Sequence, residues 1–152
     1  MEKLYVIFYL LDNDLKYELG IPIEDVSEII RLNNITPLPD ATDSIEGIIN
    51  LRNKIIPVIN VRHLFNIPSN NFSEQSRIVV FQYDDLITGV IVDEVTEVLR
   101  LHEANIEHIP DIFDDETSNY LHGIGKINDR LILLLNVGSL VINREVCEES
   151  FV

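Results

Sequence analysis

Apolar residues in this chain come in short runs separated by turn-forming polar pairs, a pattern of strands and not of long helices. Leu4–Leu11 is apolar and aromatic and stops at Asp12-Asn13-Asp14. Tyr17–Ile23 is short and suited to a strand. Val26–Leu32 has apolar residues at 26, 29, 30 and 32, a spacing that fits helix and strand alike. A helical turn at Ile23–Val26 followed by a strand through Ile29–Leu32 is expected. Thr36-Pro37-Leu38-Pro39 is a loop, because proline interrupts both regular structures. Gly47–Leu51 and Ile55–Ile59 form a hairpin about Arg52-Asn53-Lys54, with a short helix at Val61–Phe65.

The second half repeats the alternation. Arg77–Tyr83 and Leu86–Val92 are strands around Asp84-Asp85, and Val95–Leu101 follows. Gly123–Ile127 and Arg130–Leu135 make a second hairpin about Asn128-Asp129, and a terminal helix starts at Val137. The polar stretch Pro68–Gln75 divides the halves. The acidic run Asp111–Glu116 reads as a solvated loop.

The echo is a repeat in the strict sense. GIINLRNKIIPVINVRHL (Gly47–Leu64) aligns with GIGKINDRLILLLNVGSL (Gly123–Leu140), 76 residues on, with six of 18 positions identical. GIPIEDVSEIIRL (Gly20–Leu32) aligns with GVIVDEVTEVLRL (Gly89–Leu101) at an offset of 69. Two blocks in the same order describe a chain built from two similar units. Short strands at regular spacing, with closure available twice, predict an all-β protein of two small barrels. The units are expected at about residues 4–67 and 76–142, within one domain spanning 1–152, ending in an acidic tail at 143–152.

Composition narrows the function. At 46% hydrophobic residues the chain can fill a core, and its net charge of −15 argues against nucleic-acid binding, which needs clustered cations. No apolar run reaches the length of a membrane span, so a soluble, intracellular protein is expected. Cys147 is a lone thiol in the acidic tail.

Catalytic patterns are missing from the sequence. His63, His102, His108 and His122 show no metal-ligand spacing, and Gly123-Ile124-Gly125 stops short of a dinucleotide fingerprint. Asp93-Glu94 has a counterpart in Glu24-Asp25, and a duplicated acidic pair reads as a structural turn. A non-enzymatic protein without metal or cofactor is expected.

GIINLRNKIIPVINVR resembles the signature of the CheW family, the coupling proteins of bacterial chemotaxis. ELGIPIEDVSEII, TGVIVDEVTEVLRL and YLHGIGKINDRLILLLNVGSL are similar to three further family segments, in the same order, so the likeness covers about residues 4–142. It implies two intertwined five-stranded SH3-like barrels. It also implies an adaptor that joins a chemoreceptor's cytoplasmic tip to the regulatory domain of a CheA-type histidine kinase, recruited from the cytoplasm to membrane receptor arrays. Alternatives are an adaptor of a gliding or twitching pathway, or an unrelated twin-barrel binding module.

The resemblance also nominates site residues. Arg52 falls on the motif arginine implicated in receptor and kinase coupling. The hairpin itself does not demand it, since its repeat partner is Asn128. Val26 and Glu28 match receptor-binding positions, but their repeat partners Val95 and Glu97 are the same residue types, so a structural role explains them as well. Ile91 and Val92 either line a groove between barrels or pack in the core. Asn53 stands where the family motif has glycine, and asparagine tolerates the positive φ that such a glycine implies. Arg130 and the glycines 47, 123 and 125 read as structural.

Overall fold

The computed structural model describes residues 1–32, 34–39, 45–68, 72–109 and 118–140. The acidic run Asp111–Glu116, the tail 143–152 and Cys147 lie outside these residues. The strands are β1 (Glu2–Asp12), β2 (Leu15–Pro22), β3 (Val26–Arg31), β4 (Ile45–Leu51), β5 (Lys54–Asn60), β6 (Arg77–Tyr83), β7 (Leu86–Val92), β8 (Glu94–His102), β9 (Ile106–Glu107), β10 (Leu121–Ile127) and β11 (Arg130–Leu135). A 3-10 turn, Ile23–Asp25, leads into β3, which resolves the ambiguous segment as turn then strand. Helix α1 (Val61–Leu64) follows β5, and residues 137–140 form the matching helical turn. The 3-10 turn Glu103–Asn105 and strand β9 were not legible in the sequence pattern.

The strands form two sheets, ordered β8-β1-β2-β11-β10-β9 and β3-β6-β7-β5-β4. This corrects the expected division of barrels at 4–67 and 76–142. The β1–β2 hairpin of the first half sits in the sheet of the second, and β6–β7 sits in the sheet of the first. The exchange is symmetric to the residue. Parallel pairing sets Leu134 opposite Gly20 in one sheet and Val58 opposite Gly89 in the other. Those are corresponding positions of the repeat. Each ring is completed by the continuation of its own edge strand: Thr36, beyond β3, bridges Ile48 of β4, and β9, beyond β8, pairs with β10.

Both repeat glycines lie where that closing segment crosses. A Cβ on Gly47 would stand 2.2 Å from the Thr36 carbonyl oxygen, and one on Gly123 would stand 3.0 Å from that of Glu107. Close backbone approach excludes a side chain at Gly47 and leaves one tightly crowded at Gly123. The identical asparagines act alike too. Asn60 Oδ1 accepts from Arg62 N–H at the start of α1, and Asn136 Oδ1 accepts from Ser139 N–H in the second helical turn.

Three apolar clusters follow from strands buried on both faces. Ile49, Ile56, Val58, Ile78, Val80 and Ile91 fill one ring. Tyr5, Ile7, Leu101, Ile132 and Leu134 fill the other. A larger cluster, including Phe8, Leu19, Ile59, Phe81, Val92 and Leu140, lies between the sheets. Each fully buried aliphatic side chain contributes roughly 1.5–3 kcal/mol. Because the exchanged hairpins contribute to both the ring interiors and the shared core, neither half has a complete core of its own.

Candidate functional site

The β4–β5 connection has two central residues, Arg52 and Asn53, at φ 53° and 67°. Positive φ at both is the mark of a type I′ hairpin turn, whose twist matches the flanking strands. Asn53 thus has the positive φ expected of an asparagine at a glycine-like turn position. Arg52 is the less natural occupant, since a long side chain in this region carries a steric penalty. Its side chain is 79% exposed, and its Nη1 lies 3.3 Å from Glu28 Oε2. Glu28 sits on β3 opposite Val80, with its carboxylate partly shielded. Strands β3 and β4 are the two ends of their sheet, so only its curl brings these residues together.

Val26 begins β3 opposite Phe81 and packs its half-buried side chain against the shared core. The strand then shifts register before Glu28. Val26 and Glu28 therefore flank one irregularity at the strand's start, while Ile29 projects outward, 41% exposed. Ile91 and Val92 do not join this surface. They are 2% and 0% exposed, one inside a ring and the other in the shared core. The two side chains point to opposite faces of β7 and each is enclosed by an apolar cluster, so direct contact with a partner is corrected to core packing.

The second ring carries a related arrangement. Glu97, the counterpart of Glu28, accepts from Arg130 Nη2 at 3.0 Å, and Glu18 accepts from the same guanidinium at 2.7 Å. The hydrogen bond to Glu18, then that to Glu97, pushes the Arg130 pKa up from its already basic value. Arg130 is a strand residue clamped between two carboxylates, as its structural reading required. Arg52 is a turn residue with one carboxylate and an open side. At this turn the two rings differ: the position of Arg52 in the first is taken by Asn128 in the second.

Sequence reasoning missed Arg62. Its side chain is 2% exposed and forms an ion pair with Asp93, itself nearly buried. Arg62 Nη1 also donates to the carbonyls of Leu11, at 2.6 Å, and Pro68, at 3.1 Å. Asp93 Oδ2 accepts from Leu11 N–H at 2.6 Å, and Asp93 N–H donates to the Tyr9 carbonyl. Asp93 is a turn residue, as its duplication suggested, but it also ties β7 to the exchanged β1–β2 hairpin. The available signal was the repeat mismatch: Gly138 occupies the place of Arg62 in the second half.

Among the described residues no three His, Cys, Asp or Glu side chains group as a metal site. The features present are ion pairs at strand ends, isolated exposed apolar side chains and a rigid double ring. They define a mainly β protein built from two strand-exchanged, barrel-like units.

A family model described as CheW-like domain matches residues 5–145. The chemotaxis protein CheW of Helicobacter pylori is 32% identical over 124 residues, covering 82% of this chain and 74% of that protein. The chemotaxis protein CheW of Bacillus subtilis is 31% identical over 133 residues, covering 88% and 85%. The crystal structure of the scaffolding protein TtCheW from Thermoanaerobacter tengcongensis superposes with a TM-score of 0.80 at 36% identity, over 90% of this chain and 86% of that one. The chain belongs to the CheW family, and is a non-enzymatic chemotaxis scaffold. That removes the unrelated twin-barrel module from consideration.

Proposed function

We propose that this protein couples the cytoplasmic tip of a chemoreceptor to the regulatory domain of a CheA-type histidine kinase, through a surface that includes Arg52, Asn53, Glu28 and Val26. The observation that carries the site is the state of Arg52. A type I′ turn favours asparagine or glycine, yet the chain keeps an arginine there and leaves it 79% exposed. An exposed arginine beside one carboxylate adds little to stability, whereas arginine is enriched among residues that dominate interfaces.

Adaptor work asks for rigidity, anchors and no reactive group. The rings supply the first, and the turn with its facing strand supplies the second. Recruitment to membrane arrays follows from binding the receptor. Among the described residues no helix is long and apolar enough to cross the membrane by itself.

The test is calorimetry with the kinase regulatory domain and with a receptor-tip fragment, followed by reconstituted kinase assays. Binding is expected at about micromolar Kd, roughly −8 kcal/mol. A correctly folded protein that gives no heat with either partner overturns the reading.

A further inference from the structure

The chain has 26 acidic residues and 11 Lys and Arg, so a guanidinium has carboxylates in easy supply. Arg52, Arg62 and Arg100 each take one, and Arg130 takes two. Arg31 and Arg77 do not, among the described residues. They are also directly opposite each other, at the paired ends of β3 and β6. Side chains at directly opposed positions of an antiparallel pair lie on the same face, and like charges there repel. Both arginines line one cleft of about 600 Å³, with Leu32, Ser73, Glu74, Gln75 and Ser76.

The cleft is partly organised. Arg77 Nη1 donates to the carbonyls of Glu74, at 2.7 Å, and Ser76, at 2.8 Å, which anchors the guanidinium at the floor. Ser73 N–H donates to Ser76 Oγ at 2.9 Å, which closes the turn that supplies those carbonyls. Arg31 is exposed and has no side-chain hydrogen bond or ion pair among the described residues. One cation is thus held in place and a second can close over a ligand.

We propose that the Arg31–Arg77 cleft is a recognition site for a carboxylate carried by an acidic segment of a partner protein. Two guanidiniums on one face relieve their repulsion by sharing an anion, and planar forks match a carboxylate's two oxygens. The overall charge of −15 selects the form of that anion. A long polyanion would meet repulsion from the rest of the surface. A short acidic stretch feels mainly the charges within about 8 Å at physiological salt, and the cleft lining sets two arginines against the one carboxylate of Glu74. The Glu74 side of the cleft adds one negative charge, which suits a singly charged carboxylate better than a phosphate dianion. The cleft lining includes none of Val26, Glu28, Arg52 and Asn53, so the proposal does not depend on the reading given to that surface.

The experiment is an amide NMR titration of the full chain with N-acetylated, amidated tetraglutamate, with tetraglutamine and inorganic phosphate as parallel probes. Tetraglutamate is expected to shift the amides of residues 31–32 and 73–77 with a midpoint in about the millimolar range. Tetraglutamine should shift none of them. Arg31→Gln alone should weaken the midpoint about fivefold, and adding Arg77→Gln should weaken it by more than about tenfold, because charge-assisted bonds are lost. Lys16→Gln, a cation stacked on Tyr9 instead, should leave the midpoint unchanged. Unchanged thermal melting of Arg31→Gln shows that the loss is not unfolding. Shifts scattered over all cationic sites would overturn the proposal. So would an equal midpoint in the double variant, or a response to phosphate without one to tetraglutamate.

Discussion

Arg52 and Glu28, from opposite edges of one sheet, meet at 3.3 Å while the arginine stays largely in solvent. The pair spans the seam where β3 and the β4–β5 hairpin come together, and it leaves most of the guanidinium's donors unused. A surface ion pair of this kind is worth about 0–1 kcal/mol. The pair therefore contributes little to stability, and the proposed contact role is what its variants test.

That balance sets the first prediction. Arg52→Asn installs the residue found at the matching turn, Asn128, which has φ 54°. The backbone conformation suits asparagine better than arginine. Stability should change by less than about 0.5 kcal/mol, or rise slightly. Receptor-dependent kinase activation should fall. Paired denaturant melts and coupled kinase assays check both. Intact activation would remove Arg52 from the coupling surface.

The buried pair gives the opposite profile. Arg62→Met leaves the Asp93 carboxylate enclosed without its cation and strips partners from the Leu11 and Pro68 carbonyls. Removing one member of a buried ion pair costs about 3–5 kcal/mol. Adding Asp93→Leu should restore part of the loss, because the orphaned charge disappears. Urea melting of the two single variants and the double variant measures this. Strict additivity would mean that the two side chains act independently.

At Asn53, φ of 67° predicts asymmetric tolerance. Asn53→Gly should shift stability by less than about 1 kcal/mol, since relieved strain offsets the freer unfolded chain. Asn53→Val should cost about 1–2 kcal/mol, because a branched Cβ fits left-handed backbone poorly. Thermal melts of both variants suffice. A valine variant as stable as the parent would contradict the turn geometry.

Thr88 offers a stabilising change. It is fully buried on β7, and its Oγ1 has no hydrogen-bond partner among the described residues. An unsatisfied buried polar group costs about 1–3 kcal/mol. Thr88→Val keeps the shape and deletes the orphan, so it should be neutral or stabilising by up to about 1 kcal/mol. A rise in urea midpoint at unchanged m-value would show it. A clear loss would mean that the hydroxyl finds a partner in solution.

Much of this architecture was legible. The strand runs, four hairpin turns and three helical turns could be placed from periodicity and turn residues, because those signals are local. The positive φ at Asn53 followed from the chemistry of asparagine at a glycine position. The site was only partly legible. Arg52 stood out because its repeat partner differs. Glu28 became its neighbour only through the curl of the sheet. Ile91 and Val92 had two readings because a central strand and a groove-lining strand are both apolar throughout; burial on both faces of β7 settles it. Arg62 was invisible because charged residues usually lie outside, and nothing local shows that Asp93, Leu11 and Pro68 converge on it.

Pairing between strands is where local signals ended. Gly20 corresponds to Gly89 and Val58 to Leu134, so β2 and β7 present similar edges, and β5 and β11 present similar partners. A sequence with two near-copies of each element is degenerate about which copy joins which. Alternation of apolar and polar residues assigns a strand its faces, but it does not assign its neighbour. The exchange of β1–β2 and β6–β7 resolves that degeneracy through long-range packing. The shared core between the sheets and the buried Arg62–Asp93 contact to Leu11 form in the exchanged arrangement, and they bind the two halves into one body.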